Sequence, residues 1–257
     1  MFKVATFNVN SVNARMPILS EWLIKEQIDV VALQEIKCQD EQFPYQDFED
    51  LGYHAAVRGQ KSYNGVAILS KTPFEIVLKP EVSFCRVGES RIIVAKTKGV
   101  WFVNTYIPQG RDIDNEQFPY KLDFIEGMGD YLQDSLFTEQ PLIWLGDLNV
   151  AMDDRDVHDP DRLRGRVCFH PEEQKRLTIA SASFVDLFRK HIPDDQVFTF
   201  WDYRVKNGVQ RNIGWRIDHI FATNDLAGLS KKVWVDQSIR LMLKPSDHTA
   251  LIAEFDR

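Results

Sequence analysis

The stretch "KPSDHTALIAEFDR" at residues 244–257 joins a polar turn to an apolar strand. From Ala250 to Phe255 the residues alternate and branch like a strand that completes the apolar face of a sheet. Asp247 and His248 stand side by side where this strand begins. Taken alone, the pair is ordinary turn chemistry, because Ser246 and Asp247 are residues that favour turns. The pair becomes a candidate site only if other strands end in the same way.

Length and composition predict a globular protein with a substantial core. The chain has 257 residues, which fits one large sandwich or two smaller domains. No Pro- or Gly-rich linker divides it, so we expect one domain over residues 1–257. It has no run of about 18 apolar residues and no signal-peptide pattern, and its three cysteines have no CxxC spacing. We therefore expect a cytosolic protein, or a nuclear one in a eukaryote, without a membrane span or a disulfide framework.

The charge of the chain is acidic overall but basic in two places. A net charge of −7 argues against broad adhesion to nucleic acid, because a polyanion is repelled at long range. The segment "RVKNGVQRNIGWR" (204–216) nevertheless has four basic residues and no acid, and "RLRGR" (162–166) is a second basic group. Each segment is either a solvated face or a contact surface for an anion.

Alternating and helical patterns along the chain predict many strands and few helices. This combination favours two sheets with helices outside over continuous βαβ alternation. The predicted helices are Ala14–Glu26, Gln117–Leu136 and Glu172–Lys190. The predicted strands are Phe2–Val9, Val30–Leu33, Asn64–Leu69, Arg91–Lys96, Val100–Ile107, Pro141–Leu145, Trp215–Ala222, Lys232–Asp236 and Thr249–Phe255.

Polar residues recur where these strands end. A carboxylate or carboxamide in an apolar strand is costly unless it finds partners, so insertions from distant positions indicate one shared polar pocket. The set comprises Asn8, Asn10, Glu35, Tyr106, Gln109, Asp147, Asn149, Asp218, Asp247 and His248.

The residue types in this set are suited to metal-dependent hydrolysis of a phosphate ester. Glu35 and Asp247 are hard oxygen ligands that suit Mg²⁺ or Mn²⁺, and Asn8 or Asn10 can add a carboxamide oxygen. Each residue alone has a structural explanation, such as a turn cap or a core-edge aromatic, but titratable residues that converge favour a site.

The remaining residues of the set supply candidate catalytic groups. Asp147 can take or orient the proton of a nucleophilic water that Asn149 positions, and His248 can donate to a phosphate oxygen. Asp218 would keep the imidazole protonated and oriented. Tyr106 can hydrogen-bond the phosphate or, if its pKa falls, act on a proton itself.

Nine motifs together resemble the exodeoxyribonuclease III family of abasic-site DNA repair nucleases, within the endonuclease/exonuclease/phosphatase superfamily. They are "FNVNS", "LQEIK", "YNGVAILS", "NTYIPQG", "GDLNVA", "FHPEEQKR", "FTFWDYR", "GWRIDHIFA" and "KPSDH". The resemblance implies a four-layered α/β sandwich, with two mixed sheets packed face to face and helices outside. It also implies Mg²⁺-dependent cleavage of double-stranded DNA 5′ to abasic sites and removal of nucleotides or blocking groups from 3′ ends, with no obligate protein partner.

Matching these motifs residue by residue assigns the expected roles. Metal ligands are Glu35 and Asp247 with Asn8 and Asn10, and Asp147 with Asn149 forms a possible second metal site. Catalytic residues are Tyr106, Asp147, Asn149, Asp218 and His248. The matched motifs and chemistry also predict DNA contacts, which are Gln109, Phe200, Trp201, Lys206, Arg211, Trp215 and Arg216. Core packing is the competing explanation for Trp201.

Two departures from the family pattern and two other functions stay open. Asn10 stands where some relatives have Asp, and the segment "DVHDPDRLRGRVCFH" (156–170) around Cys168 varies among relatives that differ in abasic incision and 3′-end trimming. The alternatives are a phosphodiesterase or phosphatase of the same superfamily acting on RNA or phosphoinositides, and a catalytically idle module that binds damaged DNA.

Overall fold

A computed structural model of the chain describes residues 1–134 and 136–256. Its strands are β1 (Phe2–Asn8), β2 (Val30–Gln34), β3 (His54–Arg58), β4 (Val66–Ser70), β5 (Ile76–Leu78), β6 (Ile92–Thr97), β7 (Val100–Tyr106), β8 (Leu142–Asp147), β9 (Val185–Asp186), β10 (Asp218–Ala222), β11 (Ser230–Asp236) and β12 (Ala250–Phe255). Its α-helices are α1 (Val12–Glu26), α2 (Tyr45–Asp50), α3 (Gln117–Leu132), α4 (Pro160–Leu163), α5 (Pro171–Ala180), α6 (Leu187–His191), α7 (Asn224–Leu229) and α8 (Gln237–Arg240).

In these ranges the strands form two mixed six-stranded sheets, ordered β11-β12-β1-β2-β4-β3 and β5-β6-β7-β8-β10-β9. Apolar side chains of both sheets, including Val4, Ile68, Phe102 and Leu145, share one buried cluster between them. Helix α1 covers the outer face of the first sheet, and α3 and α5 cover the outer face of the second. The predicted four-layered α/β sandwich is therefore confirmed.

The predicted elements agree with the structure in most places, although the third predicted helix is wrong. The segment predicted as one helix over Glu172–Lys190 is divided, because α5 ends at Ala180 and a new helix begins at Leu187. Asp186 pairs with β10 and accepts hydrogen bonds from the first turn of α6, so a strand and a cap interrupt the helical pattern. Strands β3, β5 and β9 were not predicted. The second predicted helix ends at Leu132, and Ser135 within its predicted range lies outside the described residues.

Strand register brings the polar strand ends to one edge of the sandwich. Strands β1 and β2 are parallel, and so are β7 and β8, so Asn8, Glu35, Tyr106 and Asp147 all lie at carboxyl ends. The antiparallel partner β10 begins at the same edge, where Asp218 pairs with Asp147. No helix in the described part of the chain is both long and apolar enough to cross a membrane.

Gly146 has a backbone position that excludes a side chain, immediately before Asp147. Its φ is +147°, and a Cβ there would lie 1.9 Å from the carbonyl oxygen of Thr105 on the neighbouring strand. We expect Gly146→Ala to lower the free energy of unfolding by roughly 1–3 kcal/mol or more, because backbone atoms must shift. Urea unfolding measures this change.

Gly228 provides the matched control, since it lies in α7 and its added Cβ would meet no atom within 4 Å. Gly228→Ala should leave stability unchanged or raise it by up to about 1 kcal/mol. Equal effects of the two substitutions would contradict the steric explanation.

Candidate active site

Asn8 connects two carboxylates that come from different sheets. Its side-chain nitrogen donates to Glu35 Oε1 at 2.9 Å and to Asp147 Oδ2 at 2.8 Å, while its oxygen accepts from the backbone of Asn10 at 3.1 Å. Asn8 is fully buried, as is Asp147 with 1% exposure. Asn8 therefore acts as a hydrogen-bond donor between carboxylates, and the oxygen that it would offer to a metal stays a prediction.

His248 lies between two buried aspartates. Its Nδ1 is 2.9 Å from Asp218 Oδ2, and its Nε2 is 3.6 Å from Asp147 Oδ2. Burial lowers the pKa of His248, but the charges of Asp218 and Asp147 outweigh it and raise that pKa to about 10. Burial, together with the nearby Asp218 carboxylate, raises the pKa of Asp147 to about 7. The imidazole thus carries a proton at neutral pH, and Asp147 is poised to gain or lose one.

Tyr106 is held as a protonated hydrogen-bond donor. Its hydroxyl donates to Glu35 Oε1 at 2.8 Å, and the guanidinium of Arg91 lies 4.9 Å from its ring centre. Burial and the carboxylates of Glu35 and Asp147 raise the pKa of Tyr106 well above its usual value. This direction is opposite to the one that proton transfer by a tyrosinate requires.

The oxygen ligands around Glu35 suit a hard cation. The ammonium of Lys37 lies 2.7 Å from Glu35 Oε2 and 2.5 Å from Asn10 Oδ1, so a positive charge already stands between these oxygens. Asn10 also donates to Asp247 Oδ1 at 3.0 Å. Burial raises the pKa of Glu35, but Lys37 and the Asn8 hydrogen bond hold it below its usual value. Carboxylate and carboxamide oxygens of this kind suit Mg²⁺ or Mn²⁺.

A second group of three possible ligands, Asp147, Asp218 and His248, has ligand atoms within 4.8 Å of one another. Here the protonated imidazole already supplies the positive charge between the two aspartates. Both groups therefore already hold a positive charge, Lys37 in the first and His248 in the second, and Glu35 with Asp247 stays the predicted cation site.

Asn149 has its side chain turned toward the backbone. Its Nδ2 donates to the carbonyl oxygen of Ile107 at 3.0 Å, and its own backbone N–H donates to Asp147 Oδ1 at 3.0 Å. With a φ of 52°, Asn149 is in the left-handed region. In this geometry it orients Asp147 through its peptide group, whereas the sequence predicts a side chain that positions water.

An aromatic wall adjoins His248 because the backbone of residues 199–201 runs beside that of residues 247–249. Thr249 N–H donates to the carbonyl of Thr199, and Trp201 N–H donates to the carbonyl of Asp247. The same strip pairs with Trp215, and the ring of Phe200 lies 4.9 Å from the ring of His248.

A cleft of about 1160 Å³ contains both this wall and an acidic cluster formed by Glu35, Asp147 and Asp247. Its lining includes Glu35, Tyr106, Gln109, Asp147, Asn149, Phe200, Arg211, Trp215, Asp247 and His248. Lys206 is exposed but outside the lining. Most of the predicted site residues are therefore brought together in one cleft.

Two predicted DNA contacts are wrong because the side chains are buried. Trp201 is 0% exposed and packs beneath Gly214, where a Cβ would lie 2.6 Å from its indole nitrogen. Arg216 is also 0% exposed, and its guanidinium pairs with Asp156 at 2.6 Å and Asp186 at 3.0 Å. These side chains support the loops around the cleft and are not available to DNA.

Comparisons with known proteins identify the family. The model of the endonuclease/exonuclease/phosphatase family matches residues 5–248. The chain is 36% identical to exodeoxyribonuclease III of Haemophilus influenzae, across 98% of this chain and 99% of that protein. The chain belongs to the endonuclease/exonuclease/phosphatase family.

Solved structures of the family support the same assignment. An AP endonuclease from Archaeoglobus fulgidus is 40% identical with a TM-score of 0.96, and each chain is covered completely. A 3′ phosphatase from Neisseria, bound to a product DNA hairpin, is 32% identical with a TM-score of 0.96, again with complete coverage of both chains. Membership confirms the predicted phosphodiester hydrolase of the DNA repair nuclease type, and metal dependence is a property of this family.

Sequence reasoning missed several residues that hold this endonuclease/exonuclease/phosphatase site in place. Thr199 Oγ1 accepts the backbone N–H groups of Ile217 and Asp218 at 3.2 Å each. Ser246 Oγ donates to the carbonyl of Asn8 at 2.8 Å and accepts from His248 N at 3.2 Å. Lys37 stands two residues after Glu35 in "LQEIK", and this spacing was the one available signal.

The Asp218 carboxylate sets the proton affinity of His248 in this family member. The predicted catalytic roles require an ionised Asp147 and a protonated His248, so kcat/KM should rise through about pH 7 and fall through about pH 10. Asp218→Asn removes the negative charge nearest to His248, so the pKa of His248 should fall. The basic limb of the profile, which is the fall in kcat/KM at high pH, should then shift to a pH lower by about 1–3 units. Incision rates measured across this pH range test the shift.

Asp225→Asn, at an exposed position in α7, is the control and should leave the profile unchanged. A basic limb that stays at the wild-type pH in Asp218→Asn would show that His248 does not control it.

Proposed function

We propose that the protein is a metal-dependent DNA repair nuclease that cleaves double-stranded DNA 5′ to abasic sites and trims blocked 3′ ends. The observation that carries this proposal is the cleft itself, where His248 contacts Asp218 and Asp147 on one side and lies against Phe200 on the other. A phosphodiester bound at the acidic cluster therefore has its sugar beside the aromatic wall.

The side chains divide the hydrolytic work by their protonation. Asp147, once ionised, accepts a proton from the attacking water, and Asn149 fixes the rotation of that carboxylate through its N–H. His248 holds a proton at Nε2 and donates to a phosphate oxygen where negative charge develops. The hydroxyl of Tyr106 uses its one O–H to orient Glu35 Oε1, at 2.8 Å.

Mg²⁺, with Mn²⁺ as a substitute, is the proposed cofactor. Glu35 and Asp247 would hold it with the Asn10 oxygen, and Lys37, whose side chain is 27% exposed, has a flexible stem that can withdraw. A bound Mg²⁺ would supply positive charge to a phosphate oxygen and to the leaving alkoxide.

The aromatic wall provides a physical basis for choosing abasic sites. Phe200 and Trp215 are partly exposed in the cleft beside Ile213 and Ile217, so the surface near His248 is apolar. A deoxyribose without a base can enter such a pocket at less cost than a full nucleotide, which must also be unpaired and unstacked. Gln109 and Arg211 line the same cleft, and with the exposed Lys206 they are the proposed contacts to flanking phosphates.

The basic segment at residues 162–166 adds two proposed phosphate contacts. Arg162 and Arg166 line the cleft and pair with no carboxylate among the described residues. Arg164 between them is outside the lining and pairs with Asp154 at 2.8 Å. Unpaired arginines in an acidic protein stabilise a polyanion locally, so this loop is a DNA contact surface.

The single domain over residues 1–257, a cytoplasmic location and the lack of an obligate protein partner stay predictions from the sequence.

Incision of a duplex with a tetrahydrofuran site tests the proposed activity. We expect cleavage 5′ to the lesion with Mg²⁺ and none with chelator, because the carboxylate group needs a cation to accept a phosphate. Asp147→Ala should reduce the rate by at least about 10²-fold. Duplexes with a 3′ phosphate, RNA and phosphoinositides serve as comparison substrates.

Cleavage without metal, or full activity in Asp147→Ala, would contradict the proposal. Binding of abasic DNA without cleavage or 3′ trimming would identify an idle binding module. A preference for RNA or phosphoinositides would identify a different family function.

The double substitution Arg162→Ala/Arg166→Ala tests the loop contacts. We expect the slope of log affinity against log salt concentration to become shallower by about 1–2, because each phosphate contact contributes about 0.9. Affinity for the abasic duplex in chelator, measured between about 50 and 200 mM salt, gives this slope. Arg164→Ala is the matched control, since it removes the same kind of charge from the same loop outside the cleft. Because the control removes one charge and the double variant two, a slope change in Arg164→Ala of about half that in the double variant would show that the loop acts only through net charge.

A further inference from the structure

A fully buried ion pair lies behind the cleft. Lys121 on α3 and Glu173 on α5 are each 0% exposed, and the Lys121 Nζ is 2.6 Å from Glu173 Oε1. No sequence motif singles out Lys121, and neither side chain lines the cleft. Replacement of a buried ion pair by apolar residues is often neutral or stabilising, so the pair is weak evidence for stability. Its contacts indicate another role.

The ammonium of Lys121 joins three segments of the cleft wall. Besides Glu173, it donates to the carbonyl oxygen of Asn149 at 2.6 Å and to that of Gln109 at 3.2 Å. Its Nζ also lies 3.6 Å from Cys168 Sγ, so the three N–H bonds are shared among four acceptors. The Glu173 carboxylate in turn accepts the backbone N–H groups of Cys168 at 3.1 Å and His170 at 3.0 Å. One ion pair therefore fixes the backbones that follow β7, β8 and α4.

The contact with Asn149 leads directly to the reaction centre. Asn149 is a non-glycine residue with a φ of 52°, a conformation that persists only when its surroundings hold it. The ammonium of Lys121 donates to the carbonyl of Asn149, and the Asn149 side chain donates to the carbonyl of Ile107. The backbone N–H of Asn149 donates to Asp147 Oδ1. That last bond leaves Asp147 Oδ2 directed toward Asn8 and His248.

We propose that Lys121, paired with Glu173, is a positioning residue that sets the orientation of the Asp147 carboxylate through the Asn149 peptide. The inference rests on the proposed function, because Asp147 is there the proton acceptor. It also gives the "PEE" motif a role, since its second Glu is the partner of Lys121. Burial lowers the pKa of Lys121, but the neighbouring Cys168 and Glu173 raise it above its usual value, so the side chain is an ammonium.

The test compares Lys121→Met with Lys190→Met. Lys190 is an exposed lysine whose ammonium donates to the Ala227 carbonyl and, at 2.9 Å, to Ser230 Oγ, and it is outside the cleft. Both substitutions should lower stability, so rates are measured under conditions where each variant is shown to be folded. We expect the single-turnover incision rate of Lys121→Met to fall about 10- to 100-fold, with the Kd for abasic duplex within about threefold. Lys190→Met should keep both values near wild type.

A folded Lys121→Met variant with an incision rate within about threefold of wild type would overturn the inference, as would an equal loss in Lys190→Met. If Lys121→Met does not fold, the comparison is made with Glu173→Gln, which keeps the lysine and weakens its partner, under the same criteria. Wild-type incision is measured in the same series. Its absence contradicts the proposed function, whereas wild-type incision with an unchanged variant contradicts only the role of Lys121.

Discussion

The burial of two carboxylates beside a third, partly buried one at one edge of the sandwich is the constraint on which the site depends. Glu35, Asp147 and Asp218 come from different strands, and burying them near one another is unfavourable unless each finds a donor or a positive charge. The donors are the amide of Asn8, which reaches both sheets, and the imidazolium of His248, which lies between two aspartates. The arrangement that offsets the cost of burying these carboxylates also gives Asp147 a raised pKa and leaves His248 protonated.

This constraint explains which parts of the site the sequence could predict. Polar residues at strand ends are unusual locally, so Glu35, Asp147, Asp218 and His248 could be found without knowledge of their partners. The stretches "ATFNVN" (5–10) and "WLGDLN" (144–149) resemble each other, since both are apolar strands that end in spaced polar residues. They lie on β1 and β8, in different sheets, and meet through Asn8 and Asp147. The fold class was predictable for a related reason, since alternation shows which strands have a buried face.

The remaining errors concern residues whose environment is set by distant segments. Arg216 stands in a basic stretch and was assigned to DNA, but its partner Asp156 is 60 positions away and no local pattern connects them. Trp201 belongs to the core because Gly214 leaves room for its indole. The same limit applies to the helix predicted over Glu172–Lys190, where pairing of Asp186 with β10 overrides a helical pattern. Propensity yields to tertiary contacts in such cases.

Asp247 and His248 are positioned by the backbone segment that runs beside them. Residues 199–201 pair with this segment, so the strip that presents Phe200 is hydrogen-bonded to the strip that presents His248. Thr199 meanwhile holds the N–H of Asp218, the partner of that histidine. A displacement of the aromatic wall would therefore move the imidazole and its carboxylate together. The proposed substrate selection by the wall and the proposed proton donation by His248 would therefore be coupled through a few backbone hydrogen bonds, and a substitution in residues 198–201 should affect both.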